Sequence, residues 1–454
     1  MLDLTSIIQP LAIQSNSILA DYSQPLLHFY YKILFNLGHF VHLLFNYLFN
    51  FVFYYPLVMA YIWMIGALIY FSRWERKGHK LKSTELDIYP PISFIVPCHN
   101  EGRDVEETIE YLLKQDYPDF EVIAVNDGST DNTLSELMKL AEIHPRLRVI
   151  DFPVNQGKAL ALTTGALASR NEFLICIDGD ALLDSQAGKF IMRHFLESPR
   201  VGAVTGNPRI RTRSSLLGKI QVGEFSAIIG LIKRAQRVYG RIFTVSGVIS
   251  GFRKSAVHQV GYWSVDMVTD DIDISWKLQL ANWEIRYEEN ALCWILMPET
   301  LRGLWRQRLR WAQGGIEVLL RYTKQMLHWR SRRMFPIYLD YIASILWSYT
   351  IFALSLLSIV SIFIPLPEHY NVFTMLPGWS GLLLAGTCLM QFMISLIIDS
   401  RYEKGSARTY YWIVWYPFFY WFINVITIIA GTVKVTMKKP KARAVWTSPD
   451  RGIR

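Results

Sequence analysis

The sequence predicts an α/β domain with a mixed, mostly parallel sheet, set between membrane helices near its N-terminal and C-terminal ends. Three observations predict this class. Hydrophobic residues make up 51% of the 454 residues, yet 19% are charged. The charged residues concentrate between positions 72 and 334. Within that region short apolar runs alternate with amphipathic or polar stretches, as they do in sheets that are flanked by helices.

The N-terminal membrane region is predicted to cover residues 1–71, with one or two helices. Residues 54–71 are apolar and long enough to span a bilayer. Arg73, Arg76 and Lys77 follow, which predicts that the next domain lies in the cytoplasm. Earlier polar residues recur every three or four positions and so share one helical face. That face fits either an interfacial helix or a spanning helix that packs on a partner subunit; its members are His28, Lys32, Asn36, His39, His42, Asn46 and Asn50.

The C-terminal membrane region is predicted at residues 341–433. Its apolar segments are 341–364, 379–398 and 410–433. Three crossings would place the tail (residues 434–454) outside, but the tail is basic, which argues for the inside. One segment is therefore expected to be re-entrant or interfacial, and Pro417 marks 410–433 as that segment. The net charge of +9 fits cytoplasmic loops and anionic lipid better than nucleic acid.

Residues 72–300 are predicted to form one cytoplasmic domain whose ligand site lies at the carboxyl ends of its strands. Polar residues directly follow the first, second and fourth predicted strands, where parallel sheets bind their ligands. No G-x-G-x-x-G or Walker A pattern occurs, so neither a dinucleotide nor a P-loop site is supported. The predicted strands are 92–96, 121–125, 148–150 and 173–177, and the polar runs are 97–101, 126–129 and 178–180.

Asp178 and Asp180 stand two positions apart at the end of an apolar strand. Carboxylates there must be paired or bound to metal, because an unpaired buried charge is costly. Mg²⁺ or Mn²⁺ on a diphosphate needs few protein ligands, and those are oxygens. The alternative is that these aspartates cap a turn. Asp127 has the same alternative, since residues 127–131 (DGSTD) also fit a turn followed by a helix N-cap.

Two later motifs carry further chemistry. Asp270 and Asp271 precede a helical run, so one is expected to cap the helix and the other to be free to act as a base. Residues 301–340 are predicted to form amphipathic helices at the membrane surface. Within them Arg310 suits phosphate, and Trp311 offers a face to a sugar ring.

Together these motifs resemble those of processive family 2 glycosyltransferases, which have the GT-A fold. The matching residues are 125–129 (VNDGS), 177–181 (IDGDA), 269–271 (TDD) and 307–311 (QRLRW). Longer runs narrow the resemblance to the bacterial branch that polymerises N-acetylglucosamine through β-1,6 linkages for biofilm matrix. Those runs are 204–213 (VTGNPRIRTR), 218–223 (GKIQVG), 293–300 (CWILMPET) and 446–453 (WTSPDRGI).

The resemblance implies a role for each site residue. Asp271 would be the catalytic base, with Asp270 in support, although the family usually has Glu at position 270. Asp180 would bind the metal together with Asp178. Residues 243–247 (FTVSG) resemble the family's loop near the acceptor. The nucleotide-sugar site would comprise Pro97, Glu101, Asp127, Lys158 and Asp178, and the acceptor and diphosphate site would comprise Gln307, Arg310 and Trp311.

The same resemblance implies an activity and its partners. UDP-N-acetylglucosamine would be the donor and the growing glycan the acceptor, with inversion at the anomeric carbon and export across the bacterial inner membrane. A small membrane subunit would be the protein partner, and no nucleic acid is expected. Two alternatives stay open: a chitin- or hyaluronan-type synthase with another linkage, and a UDP-sugar-binding membrane sensor or transporter without catalysis.

Overall fold

The computed structural model describes residues 20–76, 85–364, 379–414, 416–438 and 443–444. They fall into two compact units. The smaller unit comprises the described parts of residues 1–59 and 343–387, and the larger comprises those of 60–342 and 388–454. The predicted 446–453 run lies outside the described residues.

The strands are β1 Ile92–Cys98, β2 Phe120–Asp127, β3 Leu147–Phe152, β4 Phe173–Ile177, β5 Leu182–Leu183, β6 Val201–Ile210, β7 Ile249–Arg253 and β8 Glu284–Ile295. The helices are α1 Ala20–Tyr70, α2 Val105–Leu113, α3 Thr133–Ile143, α4 Lys158–Ala168, α5 Ala187–Glu197, α6 Leu216–Phe225, α7 Lys233–Tyr239, α8 Lys254–Gln259, α9 Asp270–Leu280, α10 Leu301–Met326, α11 Phe335–Phe363, α12 Trp379–Asp399, α13 Tyr410–Ile413 and α14 Tyr416–Met437. Phe71–Glu75 and Ser226–Ile232 are π-helical.

The eight strands form one mixed sheet in the larger unit, in the order β3-β2-β1-β4-β7-β6-β8-β5. The pairs β1–β2, β2–β3, β1–β4 and β6–β8 are parallel. The strand β7 runs antiparallel to β4 and β6, and β5 runs antiparallel to β8. The predicted α/β class with a mixed sheet is therefore confirmed, and each of the four predicted strands lies within an observed one.

Strands β1, β2 and β4 are covered on both faces, which explains why they contain continuous apolar runs rather than alternating ones. In β1 every residue is buried. Successive side chains point to opposite faces, so Phe94 packs in the core with Ile109 of α2, while Ile95 packs with Leu162 of α4. Helix α4 approaches β1 so closely that a Cβ on Gly165 would lie 2.5 Å from Ile95 Cγ2. Helix α4, which packs against β1 in this way, begins at Lys158.

Four helical segments among the described residues are long and apolar enough to cross a membrane, namely Leu43–Glu75, Trp329–Phe363, Trp379–Asp399 and Tyr420–Met437. The first comprises the C-terminal part of α1, a helix of 51 residues, and the π-helical turn Phe71–Glu75 that follows it. In the smaller unit Trp347 Nε1 of α11 donates to the carbonyl of Val52 on α1 at 2.9 Å. The described side chains of the N-terminal polar face, at positions 32, 36, 39, 46 and 50, are exposed.

Candidate active site

The carboxyl ends of β1 and β2 are cross-linked by hydrogen bonds between their loops. Asn100 N donates to Ser129 Oγ at 3.0 Å, and Thr130 N donates to Asn100 Oδ1 at 2.8 Å. His99 Nδ1 lies 2.8 Å from the carbonyl oxygen of Asp127. These bonds arise because the two strands are parallel neighbours and end at the same edge of the sheet. They form one rigid wall of the site.

Pro97 and Glu101 lie against the Asp-Gly-Asp turn that follows β4. Both are buried, and a Cβ on Gly179 would lie 3.0 Å from Glu101 Cγ and 3.3 Å from the carbonyl oxygen of Pro97. Glycine at position 179 is what permits this approach, since a larger side chain would push the two loops apart. The structure therefore brings these two predicted donor-site residues beside Asp178 and Asp180.

Asp127 accepts hydrogen bonds from backbone amides through both of its carboxylate oxygens. Oδ1 accepts from Gln156 N at 2.6 Å, and Oδ2 accepts from Gly157 N at 2.8 Å. Its side chain is fully buried. The following residue, Gly128, has φ of +59°, and a Cβ there would lie 2.4 Å from the backbone of Val154. Asp127 thus anchors residues 154–157, the loop that leads into Lys158.

Lys158, the first residue of α4, pairs with Asp178. Its Nζ donates to Asp178 Oδ1 at 2.5 Å and to the carbonyl oxygen of Gly247 at 3.0 Å. Burial lowers the pKa of Lys158, but the carboxylates of Asp178, Asp270 and Asp271 outweigh burial and raise it overall. The ammonium therefore stays charged, in a position to attract a diphosphate.

Asp271 is the second residue of α9 and lies opposite the 243–247 loop. A Cβ on Gly247 would lie 3.1 Å from Asp271 Oδ2, while Oδ1 accepts from Ile272 N at 2.9 Å. Burial, followed by the charge of Asp270, raises the pKa of Asp271 to about 6, against the opposing effects of Lys158 and Arg310. A carboxylate with its pKa nearer neutrality is a better proton acceptor than an ordinary aspartate.

The carboxylates of Asp178 and Asp180 flank Gly179 at the end of β4. Among the described residues no three His, Cys, Asp or Glu side chains group closely enough to hold a metal ion. A cation here would therefore have two protein carboxylates and would draw its remaining oxygens from substrate and water, which is how proteins often hold Mg²⁺. The donor set fits such an ion.

Residues 307–311 lie on α10. Gln307 Nε2 contacts Met297 Sδ at 3.6 Å, and in the described part of the chain its buried Oε1 has no hydrogen-bond partner. Arg310 is close enough to Asp271 to lower that residue's pKa. Trp311 packs against the sheet's main core, with its ring centroid 6.3 Å from that of Phe225.

Arg308 is a residue of this motif to which the sequence assigned no role. Its Nη2 lies 2.5 Å from Glu224 Oε2, and its guanidinium stands over the Trp311 ring at 4.4 Å. Tyr416 OH donates to the other oxygen of Glu224 at 3.3 Å. Nothing in the sequence distinguishes Arg308 from the exposed Arg306, because only the packing of α10 on α6 and α14 separates the buried from the exposed arginine.

The start of the C-terminal tail lies on this same site. Lys438 Nζ donates to the carbonyl oxygen of Asp266 at 2.6 Å and to Glu317 Oε1 at 2.9 Å. Ala444 N donates to the carbonyl oxygen of Val265 at 2.9 Å, and Arg443 pairs with Gln156. The tail therefore begins on the catalytic side, beside the loop that Asp127 anchors.

The fold, the carboxylate-rich site and the four apolar helices fit a membrane-associated glycosyltransferase, and comparisons with known proteins agree. Residues 90–314 match the family model described as "Glycosyltransferase like family 2". The chain belongs to glycosyltransferase family 2 and is an enzyme of that family.

Three similar proteins are informative. Poly-beta-1,6-N-acetyl-D-glucosamine synthase of Staphylococcus epidermidis is 41% identical over 411 residues, covering 89% of this chain and 98% of the relative. The protein of the same name from Staphylococcus aureus strain COL is 40% identical over 409 residues, with the same coverage. The solved structure of a mannosyltransferase from Pyrobaculum calidifontis, in complex with GDP-Man and Mn²⁺, matches with a TM-score of 0.51 and 20% identity over 85% of this chain and 99% of that one. The last likeness supports the GT-A fold.

Proposed function

We propose that this chain is a processive, inverting glycosyltransferase that polymerises N-acetylglucosamine from UDP-N-acetylglucosamine into a β-1,6-linked glycan. One observation carries the proposal. The partly buried carboxylate of Asp271 lies opposite Gly247, whose carbonyl holds Lys158. The chain is also 41% identical to a relative named as a synthase of this glycan, over 98% of that relative's length.

The donor would bind across the carboxyl ends of β1, β2 and β4. Pro97 and Glu101 would line the nucleotide, and Asp127 would act there by holding residues 154–157 in place. The ammonium of Lys158 would contact the diphosphate. Because Lys158 already pairs with Asp178, donor binding would exchange one anionic partner for another, which avoids stranding a buried charge.

Mg²⁺ or Mn²⁺ would be held by Asp178 and Asp180. These carboxylates supply the oxygen ligands that hard divalent cations prefer, and the solved relative in complex with GDP-Man also contains Mn²⁺. The bound ion would neutralise negative charge on the diphosphate. Arg310 would add a second positive charge on the same group, which a guanidinium can contact through two hydrogen bonds.

Transfer would proceed in a single displacement. Asp271 takes the proton from the 6-hydroxyl of the terminal sugar, and that oxygen attacks the anomeric carbon on the face opposite UDP. The bond from that carbon to UDP breaks, its electrons leave with the diphosphate, and an α linkage becomes β. One base suffices, so no covalent intermediate forms. Asp270, Gln307 and Trp311 would line the acceptor, with the Trp311 ring under a sugar face.

The membrane helices would carry the growing glycan across the bacterial inner membrane from a cytoplasmic catalytic domain at residues 72–300. The basic residues that follow α1 support that orientation. A small membrane subunit would dock on the exposed polar face of α1, which includes Asn36, His39 and Asn50. Polar side chains on one face of a membrane helix stabilise contact with another helix.

Isolated membranes given labelled UDP-N-acetylglucosamine with Mg²⁺ or Mn²⁺ test the proposal. The native chain is expected to form a polymer that only a β-1,6-specific N-acetylglucosaminidase degrades. Asp271→Asn should lower turnover by at least the ~10²-fold typical of a lost general base. Its affinity for UDP should stay close to native, because the proposal assigns this carboxylate to the acceptor hydroxyl and not to the nucleotide.

Other results would redirect the assignment. A polymer that resists the β-1,6 enzyme but yields to a chitinase or hyaluronidase would replace the product and keep the mechanism. Retained polymerisation by Asp271→Asn would remove Asp271 as the base. If the native chain binds the donor but forms neither polymer nor UDP with its membrane subunit present, the sensor alternative holds instead.

A further inference from the structure

Lys233 is a buried lysine beneath the candidate active site that the transfer mechanism does not use. It is the first residue of α7, directly after the π-helical turn Ser226–Ile232, and only 3% of it is exposed. Its Nζ donates to Thr205 Oγ1 at 3.0 Å, and among the described residues no carboxylate lies within salt-bridge distance of it. An ammonium without a paired charge is costly to bury, so its place calls for a reason.

Thr205 connects this lysine to the acceptor loop. The same Oγ1 also accepts from Ser246 N at 2.8 Å. A hydroxyl oxygen has two acceptor positions, so Thr205 Oγ1 accepts hydrogen bonds from Lys233 and from the acceptor loop at the same time. Ser246 is followed by Gly247, whose carbonyl oxygen accepts from Lys158 and on which a Cβ would lie 3.1 Å from Asp271 Oδ2.

Further hydrogen bonds make the loop rigid on its other sides. Val245 N donates to Ser275 Oγ at 2.8 Å, and Ser275 Oγ donates to the Asp271 carbonyl at 2.6 Å. Phe243 N donates to Gln236 Oε1 on α7 at 3.0 Å. The loop is therefore fastened to α9 beside the base and to α7 beside Lys233, so movement of Lys233 would be transmitted to Gly247.

Charge gives a second connection. The charged groups that act most strongly on Asp271 are Asp270 on the same helix, Lys158 on α4 and Arg310 on α10, and Asp271 in turn acts on Lys233. Burial lowers the pKa of Lys233 to about 7, although the negative charge of Asp271 opposes that shift. By reciprocity a positive charge on Lys233 favours the ionised form of Asp271.

We propose that Lys233 is a positioning residue for glycosyl transfer. Through Thr205 it holds the 246–247 loop against the catalytic base, and it places positive charge beneath that base. This inference rests on the proposed function, because it assigns Asp271 as the base. Thr205 on β6 and Lys233 on α7 lie beneath the site and are not among the residues assigned to substrate.

The test measures UDP release by the full-length chain in membranes, with kcat, KM for UDP-N-acetylglucosamine and the pH dependence of kcat determined separately. Lys233→Met keeps the length of the side chain but removes the charge. It should lower kcat by about tenfold to a hundredfold, the loss expected when reacting groups shift by up to an ångström. KM should stay within about twofold of native, since the substitution removes no contact that binds the donor equally in the ground state and the transition state. The fall of kcat at low pH, which is the acid limb of its pH profile, should move to higher pH. Without the positive charge of Lys233, the ionised form of Asp271 is less favoured.

Two matched variants separate the contributions. Thr205→Val removes the shared oxygen but keeps the ammonium, so it should lower kcat and leave the acid limb in place. Lys189→Met removes a lysine that is 4% exposed but pairs with the exposed carboxylates of Glu85 and Asp116, away from the site. It should change neither kcat nor the acid limb.

Native kcat and a native acid limb in Lys233→Met would overturn the inference, as would equal losses in Lys233→Met and Lys189→Met. Should Lys233→Met fail to fold, Thr205→Val decides, because native kcat in that variant would remove the link to the loop. The result is independent of the product's identity. UDP release reports on Lys233 even if the native polymer proves to have another linkage, whereas an inactive native chain would contradict the proposed function itself.

Discussion

Burial and three neighbouring charged groups set the pKa of Asp271, and with it the strength of this carboxylate as a base. Burial and the adjacent Asp270 disfavour its charged form, while Lys158 and Arg310 favour it. The balance leaves its pKa at about 6, above the ordinary aspartate range. Such a carboxylate is ionised at neutral pH yet holds a proton more strongly than an exposed one, which is the compromise a general base requires.

This balance predicts a pH dependence. A base accepts a proton only when ionised, so kcat should be near its plateau above the pKa of Asp271. It should fall as the pH drops through about 6. Initial rates of UDP release at saturating donor, measured from pH 5 to pH 8, would locate the limb. A flat profile across that range would argue that another group accepts the proton.

Helix α10 is held in the site by a buried ion pair and not by the motif residues alone. Arg308 and Glu224 are 4% and 1% exposed, and Arg308 also supports Trp311 through its ring face. Removing one partner of such a pair leaves an uncompensated buried charge, which typically costs 3–5 kcal/mol, whereas replacing both is often tolerated. The pair therefore fixes the register of Gln307, Arg310 and Trp311.

We accordingly expect Arg308→Met to lower the stability of the detergent-solubilised chain by about 3–5 kcal/mol. The double variant Arg308→Met with Glu224→Leu should recover much of that loss. Thermal and denaturant unfolding would measure both. Glu136→Gln is the control, because its solvent-screened pair with the mostly exposed Lys139 should contribute little to stability. A double variant that is less stable than Arg308→Met would contradict the account.

The elements of the fold were more predictable than its contacts. Strands β1, β2 and β4 were predictable because a strand buried on both faces must be a continuous apolar run, and the residues after them had to share one edge. Lys233 was not predictable. Its neighbours Thr205 and Ser246 come from β6 and a loop, and no local pattern indicates which lysine is buried. Arg308 escaped prediction for the same reason, since only packing distinguishes it from Arg306.

At the scale of the whole molecule, the C-terminal tail contacts residues 154–157, the loop that Asp127 anchors. Arg443 pairs with Gln156, and a Cβ on Gly157 would lie 2.8 Å from the carbonyl oxygen of Ala444. The sequence separates these partners by 287 positions, so the contact had no local signal. Because Asp127 and the tail both contact this loop, we expect both to influence the shape of the proposed nucleotide site.

Truncation after Lys438 should therefore raise KM for UDP-N-acetylglucosamine several-fold by freeing residues 154–157, with the membrane level of the protein unchanged. Kinetics on membranes matched for protein amount would measure this. Arg443→Ala should reproduce part of the effect, whereas Arg408→Ala, which removes an exposed basic side chain elsewhere, should not. A truncated chain with native KM would show that the tail contact does not shape the donor site.

A buried charge network extends from the sheet into the membrane helices of the larger unit. Arg234 of α7 is fully buried and lies 2.5 Å from Glu75, after α1, and 2.9 Å from Asp399, the last residue of α12. Arg209 of β6 shares Asp399 at 2.7 Å. Two guanidinium groups of the catalytic domain are thus neutralised by two carboxylates that belong to membrane segments.

This network has a preparative consequence. A soluble fragment cut to the catalytic domain, for example at residues 85 and 330, would lack both Glu75 and Asp399. Arg209 and Arg234 would then be left in an apolar interior without counter-charges, on surfaces that the helices no longer cover. Such a fragment should aggregate on expression. Samples of it prepared for crystallisation or for inhibitor screening should aggregate as well. Inhibitor discovery against this enzyme therefore needs the intact chain in nanodiscs or detergent from the outset.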